Sequence, residues 1–90
     1  MPLPEEIKRR TLWRAHHRGT KEADMLIGGF ADRWLDSMDE AQFRWFEAVL
    51  EEQDVDIMAW AFQAAPAPAH LEGEMMDHLR DLDYIRLVPR

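Results

Sequence analysis

Apolar residues recur every three or four positions along most of this chain, and no stretch alternates apolar with polar long enough to suggest a strand. The strongest stripe lies over 20–36, where Ala23, Leu26, Ile27, Phe30, Ala31, Trp34 and Leu35 fall on one wide helical face. A thinner stripe precedes it over 4–17, made of Ile7, Leu12, Trp13 and Ala15. Pro4 suits a first helical position there, and Glu5 and Glu6 suit the positive N-terminal end of a helix.

A third helix announces itself in "MDEAQF" (38–43). Asp39 can cap the first turn, Gln42 three residues on can reach back, and Met38 and Phe43 flank the cap as a hydrophobic staple. Phe43, Phe46, Val49 and Leu50 give this helix its core face, ending near Glu51. Asp54 is then expected to cap a short fourth helix carrying Ile57, Trp60 and Ala61. The prolines of "AAPAPAH" (64–70) predict an extended linker. A last helix is expected over 71–83, with Leu71, Met75, Leu79 and Leu82 at helical spacing. The pattern predicts an all-α fold, a compact bundle of about five short helices, as one domain over 1–90 with its core in 4–63.

Composition narrows the function. A chain of 90 residues makes one small domain. Its net charge of −7 argues against sequence-independent nucleic-acid binding, which relies on neutralising phosphates. With no cysteine there is no disulfide framework and no thiolate metal site. The start "MPLPEEIKRR" lacks the apolar core of a signal peptide and is too acidic for a transit peptide. The longest apolar run, "IMAWAF" (57–62), falls well short of the roughly 20 residues of a membrane span. These features lead to the expectation of a cytoplasmic protein (mitochondrial matrix if eukaryotic) that does not insert in membranes. Because one bundle uses all the apolar stripes, a monomer is expected.

Catalytic and metal chemistry find little support. His16 and His17 are adjacent and point about 100° apart on a helix, so they do not chelate together. His70, Glu74 and His78 are spaced by four, but such residues are common on a solvated helix face, and that reading is preferred to a metal site. The one serine, Ser37, has no activating partner in the pattern. Gly28 and Gly29 fall inside a helix, where each costs on the order of 1 kcal/mol against alanine, and a close helix–helix approach or a kink accounts for them.

Charge is segregated. Lys8, Arg9, Arg10, Arg14, Arg18 and Lys21, six of the eleven basic residues, lie in the first helix and its turn. That turn, "HHRGTKEAD" (16–24), reads as a helix end at Arg18 with Gly19 as the left-handed residue after it. The next helix starts either from Thr20 as N-cap, or from Gly19 with Glu22 reaching back. The same residues also make a charged knuckle, bare at its middle, that a partner's backbone can approach closely.

"RGTKE" (18–22) is an RGxxE motif. An acid follows two residues on at Asp24, then a glycine–phenylalanine helix, then "LDSMDE", then a D-x-D element leading to a helix with Trp60. Over 9–63 the chain resembles the SdhE family of FAD assembly factors, whose mitochondrial counterparts serve succinate dehydrogenase. The resemblance implies a five-helix domain that binds the flavoprotein subunit of succinate dehydrogenase, or of fumarate reductase in some bacteria. It implies that the chain promotes covalent attachment of FAD to a histidine of that partner, without being an enzyme and without holding FAD tightly itself. Arg18, Gly19 and Glu22 match the motif on which family function rests, and Asp24, Arg14 and Arg10 are assigned to the same partner-binding face. Val55 stands where many relatives have proline, and 64–90 falls in a region that varies in the family. Some relatives carry the name of an antitoxin (CptB), which makes an antitoxin-like interaction module the alternative.

Overall fold

Phe30 shows how this sequence closes a core. Its ring centroid lies 5.3 Å from that of Tyr84, 5.6 Å from Phe46, 5.8 Å from Trp45 and 6.4 Å from Trp34, so one fully buried ring joins its own helix to a second helix and to the chain after the last one. The computed structural model describes residues 3–85. Among them it is all helical: α1 (Glu5–His16), α2 (21–34), α3 (Glu40–Leu50), α4 (Asp54–Ala61) and α5 (Glu74–Asp81), with single 3-10 turns at Leu35–Ser37 and Ala69–Leu71. The outermost residues of the expected 1–90 domain, 1–2 and 86–90, lie outside the described span.

Helix α2 carries the expected stripe, with Ala23, Leu26, Ile27, Phe30 and Ala31 buried. It is not regular throughout. Lys21–Ala23 is α-helical, Asp24–Gly28 widens to a π turn, and Gly29–Trp34 returns to α geometry. Gly28 accounts for the close approach read from the sequence, because a β-carbon there would lie 2.3 Å from Nδ1 of His16 on α1. Only a bare residue lets the His16 ring lie against α2. His16 Nε2 and Asp32 Oδ1, 2.9 Å apart, tie the same two helices from the other side of the ring.

The start of α3 follows its sequence signal in detail. The Asp39 carboxylate accepts from Gln42 N at 2.8 Å, and the Gln42 side chain accepts from Asp39 N at 2.9 Å. Met38 and Phe43, the proposed staple, are both buried. The start of α4 differs from expectation. Gln53 occupies the N-cap position, and Asp54 is the first helical residue. Its carboxylate does not cap because it is taken by another partner, described below.

Two further corrections concern the first and last helices. Trp13, expected on the apolar face of α1, is 61% exposed. It stands two residues before the buried Ala15, roughly 160° around the helix, so burying both would need a second covering layer. The 64–70 stretch is less of a free linker than its composition suggests, since Ala67 is buried and Trp45 Nε1 donates to Leu71 O at 2.8 Å. Leu71 sits in its own 3-10 turn, and α5 begins after Gly73. No helix among the described residues is long and apolar enough to cross a membrane.

Candidate functional site

The turn between α1 and α2 is built residue by residue from its own sequence. His17 ends α1, its N–H donating to Arg14 O at 3.3 Å. The Arg18 N–H donates to Asp24 Oδ1 at 2.5 Å, folding the turn over the first residues of α2. Gly19 has φ +112°, a backbone conformation that residues with a β-carbon rarely adopt. Space is not the reason for glycine, because nothing lies within 4 Å of where a side chain would start. Thr20 is the N-cap: its Oγ1 accepts from Ala23 N at 3.2 Å, which decides between the two starts left open by the sequence.

Glu22 therefore occupies the second helical position and does not reach back. It is exposed, and its carboxylate makes no ion pair or hydrogen bond with the described residues. Together with exposed Gly19 and Lys21 it faces outward.

Arg18 behaves differently. Its side chain turns away from the knuckle and is only 12% exposed. Nε donates to Asp54 Oδ1 at 2.7 Å, one terminal nitrogen to Leu50 O at 2.9 Å, and the other to Glu52 O at 3.0 Å. Leu50 closes α3, where backbone carbonyls lack helical partners and a cation is favoured. Asp54 opens α4, where an anion is favoured. The planar guanidinium fits between these two helix ends and ties both to the α1–α2 turn. Arg14 adds an outer strut, Nη2 to Glu51 Oε2 at 2.7 Å, on a more exposed pair that contributes at most about 1 kcal/mol.

Of the six residues implicated by the motif resemblance, the structure thus makes two groups. Arg18, Asp24 and Arg14 hold the knuckle in place through internal bonds. Gly19 and Glu22 are presented at its surface, and Arg10 is exposed on α1, two turns before. Sequence reasoning missed Asp54 as the anchor of Arg18, and the carbonyls of Leu50 and Glu52 with it. No local spacing links positions 18 and 54. A groove runs from Gly19 and Lys21 to Asp83 and Tyr84, bordered by His16 and Asp32. Tyr84 lines it from the chain after α5; its hydroxyl donates to Leu79 O at 2.7 Å, and burial, reinforced by Asp83 and Asp81, pushes its phenol well above the usual tyrosine range.

The metal candidate His70/Glu74/His78 is taken apart by the fold. His70 is exposed in the 3-10 turn, Glu74 starts α5, and His78 stacks on Trp34 at 4.3 Å. The continuous helix that would have put all three on one face is interrupted at Gly73. Among the described residues, no group of three or more His, Asp or Glu side chains is placed to hold a metal ion.

The result is a braced turn that presents Glu22, without a bonded partner among the described residues, close to a residue without a side chain. A family model described as "Flavinator of succinate dehydrogenase" matches residues 9–83, running past the 9–63 of the motif resemblance and into α5. The FAD assembly factor SdhE of Acetobacter pasteurianus is 35% identical over 79 residues, covering 88% of this chain and 72% of that protein. The mitochondrial succinate dehydrogenase assembly factor 2 of Dictyostelium discoideum is 31% identical over 72 residues, covering 80% of this chain and 51% of its own. Its namesake in Danio rerio is 35% identical over 79 residues, covering 84% and 50%. The chain spans about half the length of these two mitochondrial relatives. It belongs to the family of flavinators of succinate dehydrogenase.

Proposed function

We propose that this chain is an assembly factor that docks on the flavoprotein subunit of succinate dehydrogenase and promotes covalent attachment of FAD to it. Family membership supports the role, and the observation that carries the site is the division of labour within RGxxE. Arg18 is bound internally to Asp54 and two carbonyls, while Gly19 and Glu22 stand exposed, the Glu22 carboxylate without a bonded partner among the described residues. The flavoprotein of fumarate reductase is a second client of the same chemistry, and the cytoplasm is the compartment where a bacterial client would be met.

The bond-forming chemistry would belong to the client. A methyl group of its FAD would lose a proton, and the carbon so activated would be attacked by a client histidine nitrogen that gives up its own N–H proton. The flavin ring would hold the electron pair, and a two-electron acceptor such as dioxygen would reoxidise it. The chain contributes binding energy. A factor that binds one conformer of the client more tightly than the others raises the population of that conformer, and with it the fraction of time histidine and flavin spend in attack geometry. Glu22 would pair with a donor on the client, and Gly19 would let the client backbone come close. FAD stays with the client throughout.

Deletion of the encoding gene tests this. The expected result is loss of in-gel flavin fluorescence from the succinate dehydrogenase flavoprotein, restored by the intact gene. Unchanged fluorescence accompanied by toxicity would reject the assembly role and favour the antitoxin alternative.

A further inference from the structure

Trp13 takes no part in the core and lies outside the RGxxE turn. It is 61% exposed, and Val55 and Phe62 are the other large apolar side chains left exposed among the described residues. Unlike them, it is held in place by a ring. The His17 imidazole stacks on the indole with centroids 4.1 Å apart and planes 13° from parallel. His17 Nδ1 lies 2.7 Å from Trp13 O, and since a carbonyl only accepts, this nitrogen carries the hydrogen. The two rings form a fixed apolar shelf on the outer face of α1.

A rigid, exposed aromatic surface loses little side-chain entropy on docking, and tryptophan and arginine are the residues that most often dominate interface energies. Arg9 and Arg10 stand four and three residues before Trp13, on the same face of α1. Both are exposed and neither forms an ion pair with a described residue, whereas Lys8, Arg14 and Arg18 are all paired internally. On a chain of net charge −7, two unpaired guanidiniums beside a fixed indole complement a partner surface rich in carboxylates. His17 lines the same groove as Gly19 and Lys21, so the shelf borders the knuckle.

We propose that the stacked Trp13–His17 pair, flanked by Arg9 and Arg10, is the anchor of the docking face and seats in an apolar recess edged by carboxylates on the client flavoprotein. The inference rests on the docking function above and adds the patch that supplies its affinity.

The affinity of the purified chain for the purified succinate dehydrogenase flavoprotein subunit, read by titration calorimetry, tests it. Trp13→Ala is expected to weaken binding roughly 30-fold. Trp13→Phe should weaken it much less, and neither should move the thermal midpoint. The double reversal Arg9→Glu with Arg10→Glu is expected to slow association, with an effect that shrinks as salt is added. Binding by Trp13→Ala equal to that of the unaltered chain overturns the anchor while leaving the docking function standing. A loss of affinity that merely tracks a loss of helix content also overturns it, because Trp13 then serves the fold. Failure of the unaltered chain to bind removes the docking function and this anchor with it.

Discussion

Arg18 and Asp54 stand 36 positions apart in sequence and meet at 2.7 Å between Nε and Oδ1. The pair joins the turn after α1 to the opening of α4, and the same guanidinium reaches the carbonyls that end α3. The motif arginine therefore acts from within, holding in position the two motif residues that face out.

Roles of this kind separate in stability measurements. Arg18→Ala would leave Asp54 and two carbonyls without their partner at a mostly buried position, a loss of about 2–4 kcal/mol. For a domain of this size that is a drop in thermal midpoint of roughly 10 °C or more. Glu22→Ala should stay within about 0.5 kcal/mol of the unaltered chain, since its side chain has no bonded partner among the described residues. Equal melting of the two variants would show that Arg18 is not the brace described.

Gly19 separates backbone from bulk. Its φ of +112° makes any β-carbon unfavourable, while the space around it is open. Gly19→Ala and Gly19→Arg are thus expected to destabilise by similar amounts, about 1 kcal/mol each, in chemical unfolding. They should differ in client flavinylation, where the larger side chain obstructs approach and the smaller one obstructs it less. A much larger folding defect for arginine would mean that the position is enclosed.

At Gly28 the constraint is the reverse. A methyl group there meets the His16 ring at 2.3 Å, so Gly28→Ala should displace the ring, break its contact with Asp32 and destabilise by about 1–3 kcal/mol despite the better helix propensity of alanine. Adding His16→Ala to that variant should recover most of the loss. A double-mutant cycle with no coupling would contradict the helix contact described.

Tyr84 gives a pH prediction. It is the chain's one tyrosine, so phenolate absorbance reports it alone. Its phenol is raised above the ordinary range by burial first, then by Asp83 and Asp81. In the folded chain it stays protonated where the unfolded chain has lost its proton. Its contribution to stability is accordingly complete below the unfolded tyrosine pKa, about 10, and is lost as pH rises from there towards the folded value. Absorbance titration should show no native phenolate near pH 10, followed by ionisation coupled to unfolding. Free titration near pH 10 with helix content unchanged would refute this.

How legible the molecule was depended on the range of each interaction. The capping box of Asp39 and Gln42 and the buried stripe through Phe30 are set by neighbours within a turn or two, and the sequence pattern carried both. The α1–α2 turn was legible as a charged knuckle, but not which of its charges were already engaged. Asp54 suits a helix N-terminus as cap or as first-turn anion, and only the arrival of Arg18 from across the bundle decides between them. Trp13 was misplaced for a related reason. On a helix whose buried residues are small, Thr11 and Ala15, one large apolar side chain does not by itself reveal which face is inside.

The central claim is that the outward carboxylate of Glu22, on a turn braced by Arg18, is what engages the client. Covalent flavin yield on the purified succinate dehydrogenase flavoprotein, incubated with FAD and folded Glu22→Ala, tests it most directly. Yield falling to the level seen without any assembly factor, with melting unchanged, is the result expected. Full yield from that variant would contradict the claim, because the motif carboxylate without a bonded partner among the described residues would then have no role in flavinylation.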